Sequence, residues 1–145
     1  VNGTYRALVE SRGGIYTGLD CSPGTNVDFV DDACYLDRVE GNSFDLVISG
    51  QLLEHLEFPL LAVVAMKRVV REGGWIALIA PFSWEYHAYP IDCWRVCTDG
   101  MRFLLAGMEV VYAETVGRDT MGTGRKPAGY CERWEIHDRR KGSTG

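Results

Sequence analysis

The residues of this chain that could do chemistry stand mostly at the ends of short apolar runs. Asp20 closes residues 15–20, and Asp31, Asp32 and Ala33 follow the alternating Val27-Asp28-Phe29-Val30. A carboxylate at a strand end can accept two hydrogen bonds from the vicinal hydroxyls of a ribose. One after the next strand could accept from the exocyclic amine of adenine. Asp20 could instead be a turn former, because Ser22-Pro23-Gly24 follows it. Gly50-Gln51 follows a third run, where the missing side chain lets backbone approach a ligand closely. His55, beside Glu54, could be a general base, or a surface or packing residue. A last group, His87, Tyr89, Asp92, Trp94 and Arg95, lies on an aromatic-rich connection. It could meet a substrate, or form a structural network with Asp92 paired to Arg95 and Trp94 in the core.

The five cysteines, Cys21, Cys34, Cys93, Cys97 and Cys131, include no CxxC pair. Cys93 and Cys97 could share a helix face, but two sulfurs without nearby histidines make a poor zinc site. We expect reduced, mostly buried thiols in a cytoplasmic protein, and no metal.

Positioning these residues requires an alternation of strands and helices. Residues 4–10 read as a short helix stopped by Gly13-Gly14, residues 15–20 and 27–30 as strands, and residues 44–49 as a buried strand. A helical stretch begins near Gln51, is interrupted at Pro59, and resumes from Leu60 to Arg71, where Gly73-Gly74 supplies the stop. Residues 75–80 are apolar on both faces, as a central parallel strand should be. Thr98 can cap a helix reaching Leu105. Residues 109–112 read as a strand, 117–129 as a glycine-rich loop, 131–136 as a last strand, and 138–145 as a polar flexible tail. The pattern predicts one α/β domain over residues 1–137, a mostly parallel sheet with helices on both faces. Ligands of such sheets bind at the carboxyl ends of the strands.

The totals exclude several classes. A formal net charge of −5 argues against nucleic acid as a partner. Residues 1–57 hold ten acids and three bases, whereas residues 118–145 hold seven bases and four acids. The basic tail, with Arg125, Lys126, Arg133, Arg139, Arg140 and Lys141, could touch an anion or be a solvated surface. No stretch approaches the roughly 18 continuous apolar residues of a membrane span, and the start has no signal-peptide pattern.

In order along the chain, Gly18-Leu19-Asp20, Asp32-Ala33, residues 44–55 (FDLVISGQLLEH) and residues 68–74 (RVVREGG) resemble the class I S-adenosylmethionine-dependent methyltransferases of type 11. That family has "FDLVxS", "LEHL" and "RVL-x-PGG" at these places; here Val70 and Glu72 replace a Leu and a Pro. The segment His87-Ala88-Tyr89-Pro90-Ile91-Asp92-Cys93-Trp94-Arg95 resembles a subgroup signature, H-x-x-P-x-D-x-W-R. The resemblance covers residues 1 to about 112 and implies a Rossmann-like methyltransferase fold with an antiparallel C-terminal strand.

By that resemblance Asp20 would bind the ribose hydroxyls of S-adenosylmethionine, with Cys21 beside the adenine and Asp32 and Ala33 at its amine edge. Asn2 and Gly3 would be the tail of the glycine-rich loop. Gly50 and Gln51 would floor the methionine end, with His55 facing the pocket. His87, Tyr89, Asp92, Trp94 and Arg95 would meet a small-molecule acceptor. The family's first strand and leading glycines have no counterpart here, so the resemblance implies weakened cofactor binding. It also implies a gap between the strands ending at Asp20 and Ser49, which either pair directly or are covered in a homodimer. The alternative to an enzyme is a non-catalytic methyltransferase-like remnant acting as a binding or scaffold subunit. A nicotinamide-dependent dehydrogenase would also use an acid after its second strand, but would not explain the later blocks.

Overall fold

A computed structural model of the chain describes residues 4–132. Asn2, Gly3, most of the predicted last strand and the tail bases Arg133, Arg139, Arg140 and Lys141 lie outside that range.

Helix α1 (Thr4–Glu10) has the expected bounds. Strands β1 (Leu19–Asp20) and β2 (Phe29–Val30) pair in parallel, Leu19 opposite Phe29 and Asp20 opposite Val30. Both are shorter than their apolar runs. The reason lies at Gly18, whose N–H donates to the Asp28 carboxylate at 2.6 Å instead of to a ladder partner.

The main sheet has the order β3 (Phe44–Gly50), β4 (Val70–Pro81), β6 (Asp119–Arg125), β5 (Glu109–Val116). Strands β3 and β4 are parallel, while β6 runs antiparallel to both β4 and β5. The sheet is therefore mixed, and β4 has a parallel neighbour on one side only. Among the described residues β1 and β2 form a separate sheet, so β1 and β3 do not pair directly.

Several local expectations are corrected. No α-helix begins near Gln51, because that residue has φ 52° in the left-handed region. A 3-10 turn at Leu53–His55 follows, and α2 (Pro59–Val69) starts with Pro at its first turn, where a missing N–H costs nothing. Gly73-Gly74 does not stop that helix. Strand β4 begins at Val70, and residues 71–74 bulge out between the pairs Phe44–Val70 and Leu46–Trp75. Thr98 opens α3 (Thr98–Leu104) but does not cap it; Cys97 is the cap residue, and the Thr98 hydroxyl bonds to Thr115 at 3.1 Å.

The largest correction concerns residues 117–129. They are not a loop: residues 119–125 form β6, hairpinned to β5 through Gly117-Arg118. Thr120, Gly122 and Gly124 alternate onto the buried face, where α3 and the following turn pack directly on the strand. A Cβ on Gly122 would meet Met101 Cγ at 2.4 Å, and one on Gly124 would meet Met108 Cβ at 2.9 Å. The same register sets Gly124, Gly122 and Thr120 beside Ile76, Leu78 and Ala80. Ile76, Leu78 and Ala80 share one core with Ala62, Val63, Met66 and Val69 of α2 and Met101, Leu104 and Leu105.

Lys126 is not part of a basic surface. It is buried, and its Nζ donates to the carbonyls of Lys67 (2.8 Å) and Val70 (2.6 Å) and to Asn42 Oδ1 (2.9 Å). The cation thus satisfies carbonyls at the C-terminus of α2, where the helix dipole favours positive charge.

Candidate functional site

The carboxyl ends of β1 and β2 lie together. Asp20 and Val30 are opposite one another, and the Asp31 N–H donates to the Asp20 carbonyl at 3.1 Å. Asp20 Oδ1 accepts from the Ser22 N–H at 3.1 Å, so the turn-forming role foreseen for this acid is present and fixes the carboxylate at the strand end. Asp32 Oδ1 accepts from the Cys34 N–H at 2.8 Å, and Ala33 packs against the core. Cys21 is exposed beside Asp20. Cys34 is half-buried, and burial pushes its thiol up to about 11. Cys21, Cys93, Cys97 and Cys131 are all exposed, contrary to the expectation of mostly buried thiols.

Gly50 ends β3, and its lack of a side chain serves a close approach by Tyr5: a Cβ there would stand 2.8 Å from the Tyr5 hydroxyl. The neighbouring Arg6 bonds the Asp28 carboxylate at 2.5 Å. Helix α1 therefore bridges the two sheets, touching the β3 end with one residue and the β1–β2 layer with the next. Gln51 turns its side chain toward the β5–β6 hairpin, donating from Nε2 to Asp119 Oδ1 at 2.9 Å. Trp84 Nε1 donates to the same oxygen at 2.9 Å.

His55 lies on the 3-10 turn rather than on an α-helix. Its Nδ1 stands 2.6 Å from the Ile91 carbonyl, which fixes that nitrogen as the donor, and its Nε2 lies 3.6 Å from Glu54 Oε1. Glu54 is fully buried, and burial raises its pKa. His87 meets His55 edge to face, with ring centroids 5.3 Å apart.

Residues 82–97 are stapled by the network foreseen for them. Arg95 grips Asp92 with two nitrogens, at 2.5 and 2.8 Å, and donates to the carbonyls of Trp84, Glu85 and Trp94. Asp92 also accepts from the His87 N–H at 2.8 Å, and the Arg95 hydrogen bonds hold its carboxyl well below the usual range. Trp94 is a correction to the network reading: it is 45% exposed instead of core, though its Nε1 donates to the Leu56 carbonyl at 2.8 Å. Tyr89 is exposed, as are Phe82, Trp84 and Tyr86, so an aromatic surface lines this connection.

The expected residues thus gather in two places. Asp20 and Asp32 share one strand edge; His55, His87, Asp92 and Arg95 form another group; Trp94 is tied to Leu56, next to His55. Sequence reasoning missed Tyr5, Trp84 and Asp119, for which spacing carries no signal. It also passed over Glu54, whose signal is an acid enclosed by Leu52, Leu53 and Leu56.

Comparison with known proteins places this geometry. The family profile described as "Methyltransferase domain" matches residues 2–78. No curated protein sequence matches. Among solved structures, the chain is similar to the Burkholderia thailandensis 1,6-didemethyltoxoflavin-N1-methyltransferase, solved with 1,6-didemethyltoxoflavin and S-adenosylhomocysteine bound. There the TM-score is 0.71 at 17% identity, over 87% of this chain and 67% of that one. An S-adenosylmethionine-dependent methyltransferase from Mesorhizobium loti gives a TM-score of 0.65 at 16% identity, over 86% of each chain. A 4+2 cyclase gives 0.58 at 18% identity, over 85% of this chain and 61% of that one, so the fold does not dictate one chemistry. The profile match spans more than half of the chain and contains β1 to β3, α2 and most of β4: the chain belongs to the methyltransferase domain family with a Rossmann-like α/β fold.

Proposed function

We propose that the chain binds S-adenosylmethionine across the carboxyl ends of β1, β2 and β3 and transfers its methyl group to a small-molecule acceptor. The observation that carries this reading is the position of Asp20, a carboxylate fixed at the end of β1 directly beside the Asp31-Asp32 turn. The residues present fit the cofactor. Asp20 would take the ribose hydroxyls, Cys21, Asp32 and Ala33 would flank the adenine, and Gly50 and Gln51 would floor the methionine end. The donor supplies an electrophilic sulfonium methyl. The chain's own part is alignment of the acceptor and exclusion of water, with His55 the candidate general base as long as its Nε2 carries no other ligand. The exposed rings of Trp84, Tyr86, Tyr89 and Trp94, on the same connection as His87 and the Asp92–Arg95 pair, suit a flat acceptor.

The test is transfer of a labelled methyl group from S-adenosylmethionine into small-molecule extracts. Wild type should label a product, and Asp20→Ala should lose most of that labelling. Equal labelling by both chains contradicts the assignment of Asp20. No labelling by wild type favours the second reading, a non-catalytic scaffold subunit.

We further infer a homodimer in the cytoplasm. Among the described residues strand β3 is an edge of its sheet and exposes Leu46, and open edges with apolar residues attract a second strand.

A further inference from the structure

Glu54 poses a physical problem. It is fully buried, yet neither carboxylate oxygen accepts a hydrogen bond from another residue. A buried acid left in that condition is costly, so such a group calls for an explanation. Its surroundings supply one. His55 Nε2 stands 3.6 Å from Glu54 Oε1, and one ligand atom each from Glu54, His55 and His87 lie within 4.8 Å of one another.

We propose that Glu54, His55 and His87 bind one divalent transition-metal ion. The tautomers are already set for it. His55 Nδ1 is committed to the Ile91 carbonyl and His87 Nδ1 to the Glu85 carbonyl at 2.9 Å, which leaves each Nε2 with its lone pair. Metal-binding histidines are oriented in this way, by donating the other ring N–H to a carbonyl or carboxylate. Two imidazoles and a carboxylate suit zinc or ferrous iron rather than calcium or magnesium. Zinc bonds of about 2.0–2.2 Å put ligand atoms roughly 3–3.5 Å apart, so the ion draws the most separated pair together by up to about 1.5 Å. His87, with a side chain 42% exposed, leaves an entry path from solvent. Asp92 is not a ligand, because Arg95 occupies both of its oxygens. Three protein ligands leave a fourth position open to water or to an oxygen of a substrate.

The competing explanation is a protonated His55 paired with Glu54, and it predicts no metal binding. Sequence reading found no metal site because it weighed only cysteine spacing; His87 lies 32 positions beyond His55 and reaches it only through the fold.

The experiment titrates chelator-treated protein with cobalt(II), followed by visible absorption, and then displaces the cobalt with zinc. Wild type should bind one equivalent without a thiolate-to-metal band. Glu54→Gln and His87→Ala should each weaken binding about tenfold or more, while Cys93→Ser leaves it unchanged. If Glu54→Gln does not fold, His87→Ala decides alone, since His87 is on the surface. Absence of a stoichiometric complex in wild type, or unchanged affinity in the folded variants, overturns the proposal. So does a thiolate band that disappears in Cys93→Ser. None of these readouts involves methyl transfer, so the site stands or falls separately from the proposed activity.

Discussion

Among single residues, two buried lysines show what composition hides. Lys126 looks like a tail charge in the sequence, yet it and Lys67 are both buried and donate to carbonyls, Lys67 to Ala106 at 2.9 Å. Burial lowers the Lys67 pKa from 10.5, because the charged form loses water. The unfolded chain keeps that proton to higher pH. Between the lowered value and 10.5 the unfolded state therefore binds more protons, and the folded state gains stability as pH rises. Denaturation midpoints measured at about pH 8 and about pH 10 should rise more with pH for wild type than for Lys67→Met. Equal pH dependence in the two proteins contradicts this account of Lys67. The aspartates were legible at this scale, since Asp20 ends β1 and Asp32 follows β2 as read. Tyr5 was not, since only the docking of α1 brings it to Gly50.

At the scale of elements, periodicity was informative where one face is apolar and misleading where the buried face is made of glycine. Residues 44–49 and 75–80 announced their strands through branched apolar side chains. Residues 119–125 show no apolar alternation, because the face of β6 that packs on α3 carries Thr120, Gly122 and Gly124. Their alternation was the available signal, and turn chemistry overrode it in the sequence reading. Gly122→Ala tests the packing argument. A Cβ 2.4 Å from Met101 Cγ and 2.9 Å from Leu105 Cδ1 forces buried side chains to shift. The variant should lose about 1–3 kcal/mol of stability by chemical denaturation. A midpoint equal to that of wild type would mean that α3 does not rest on β6 as described. The misplaced helix start near Gln51 has a comparable cause, a left-handed residue that no spacing rule detects.

For the whole molecule, the fold class was readable from the order of blocks, while the division into two sheets was not. Helix α1 joins them, with Tyr5 against Gly50 and Arg6 against Asp28. The same arrangement leaves one side of β3 without a neighbouring strand among the described residues. Light scattering at micromolar concentration should accordingly give twice the 16.2 kDa chain mass; a monodisperse monomer contradicts the proposed dimer. The candidate acceptor surface and the His55–His87 group depend on residues 82–97 being folded back by Arg95, a contact between neighbours in sequence whose consequences are long-range.

The proposed donor site is tested most directly by calorimetric titration with S-adenosylhomocysteine. Wild type should bind one equivalent, and Asp20→Ala should bind about 10–100-fold more weakly, as expected for losing hydrogen bonds to a charged acceptor. No heat from wild type at millimolar ligand, or equal affinity in the two proteins, would contradict the assignment of the β1–β3 strand ends as an adenosyl site.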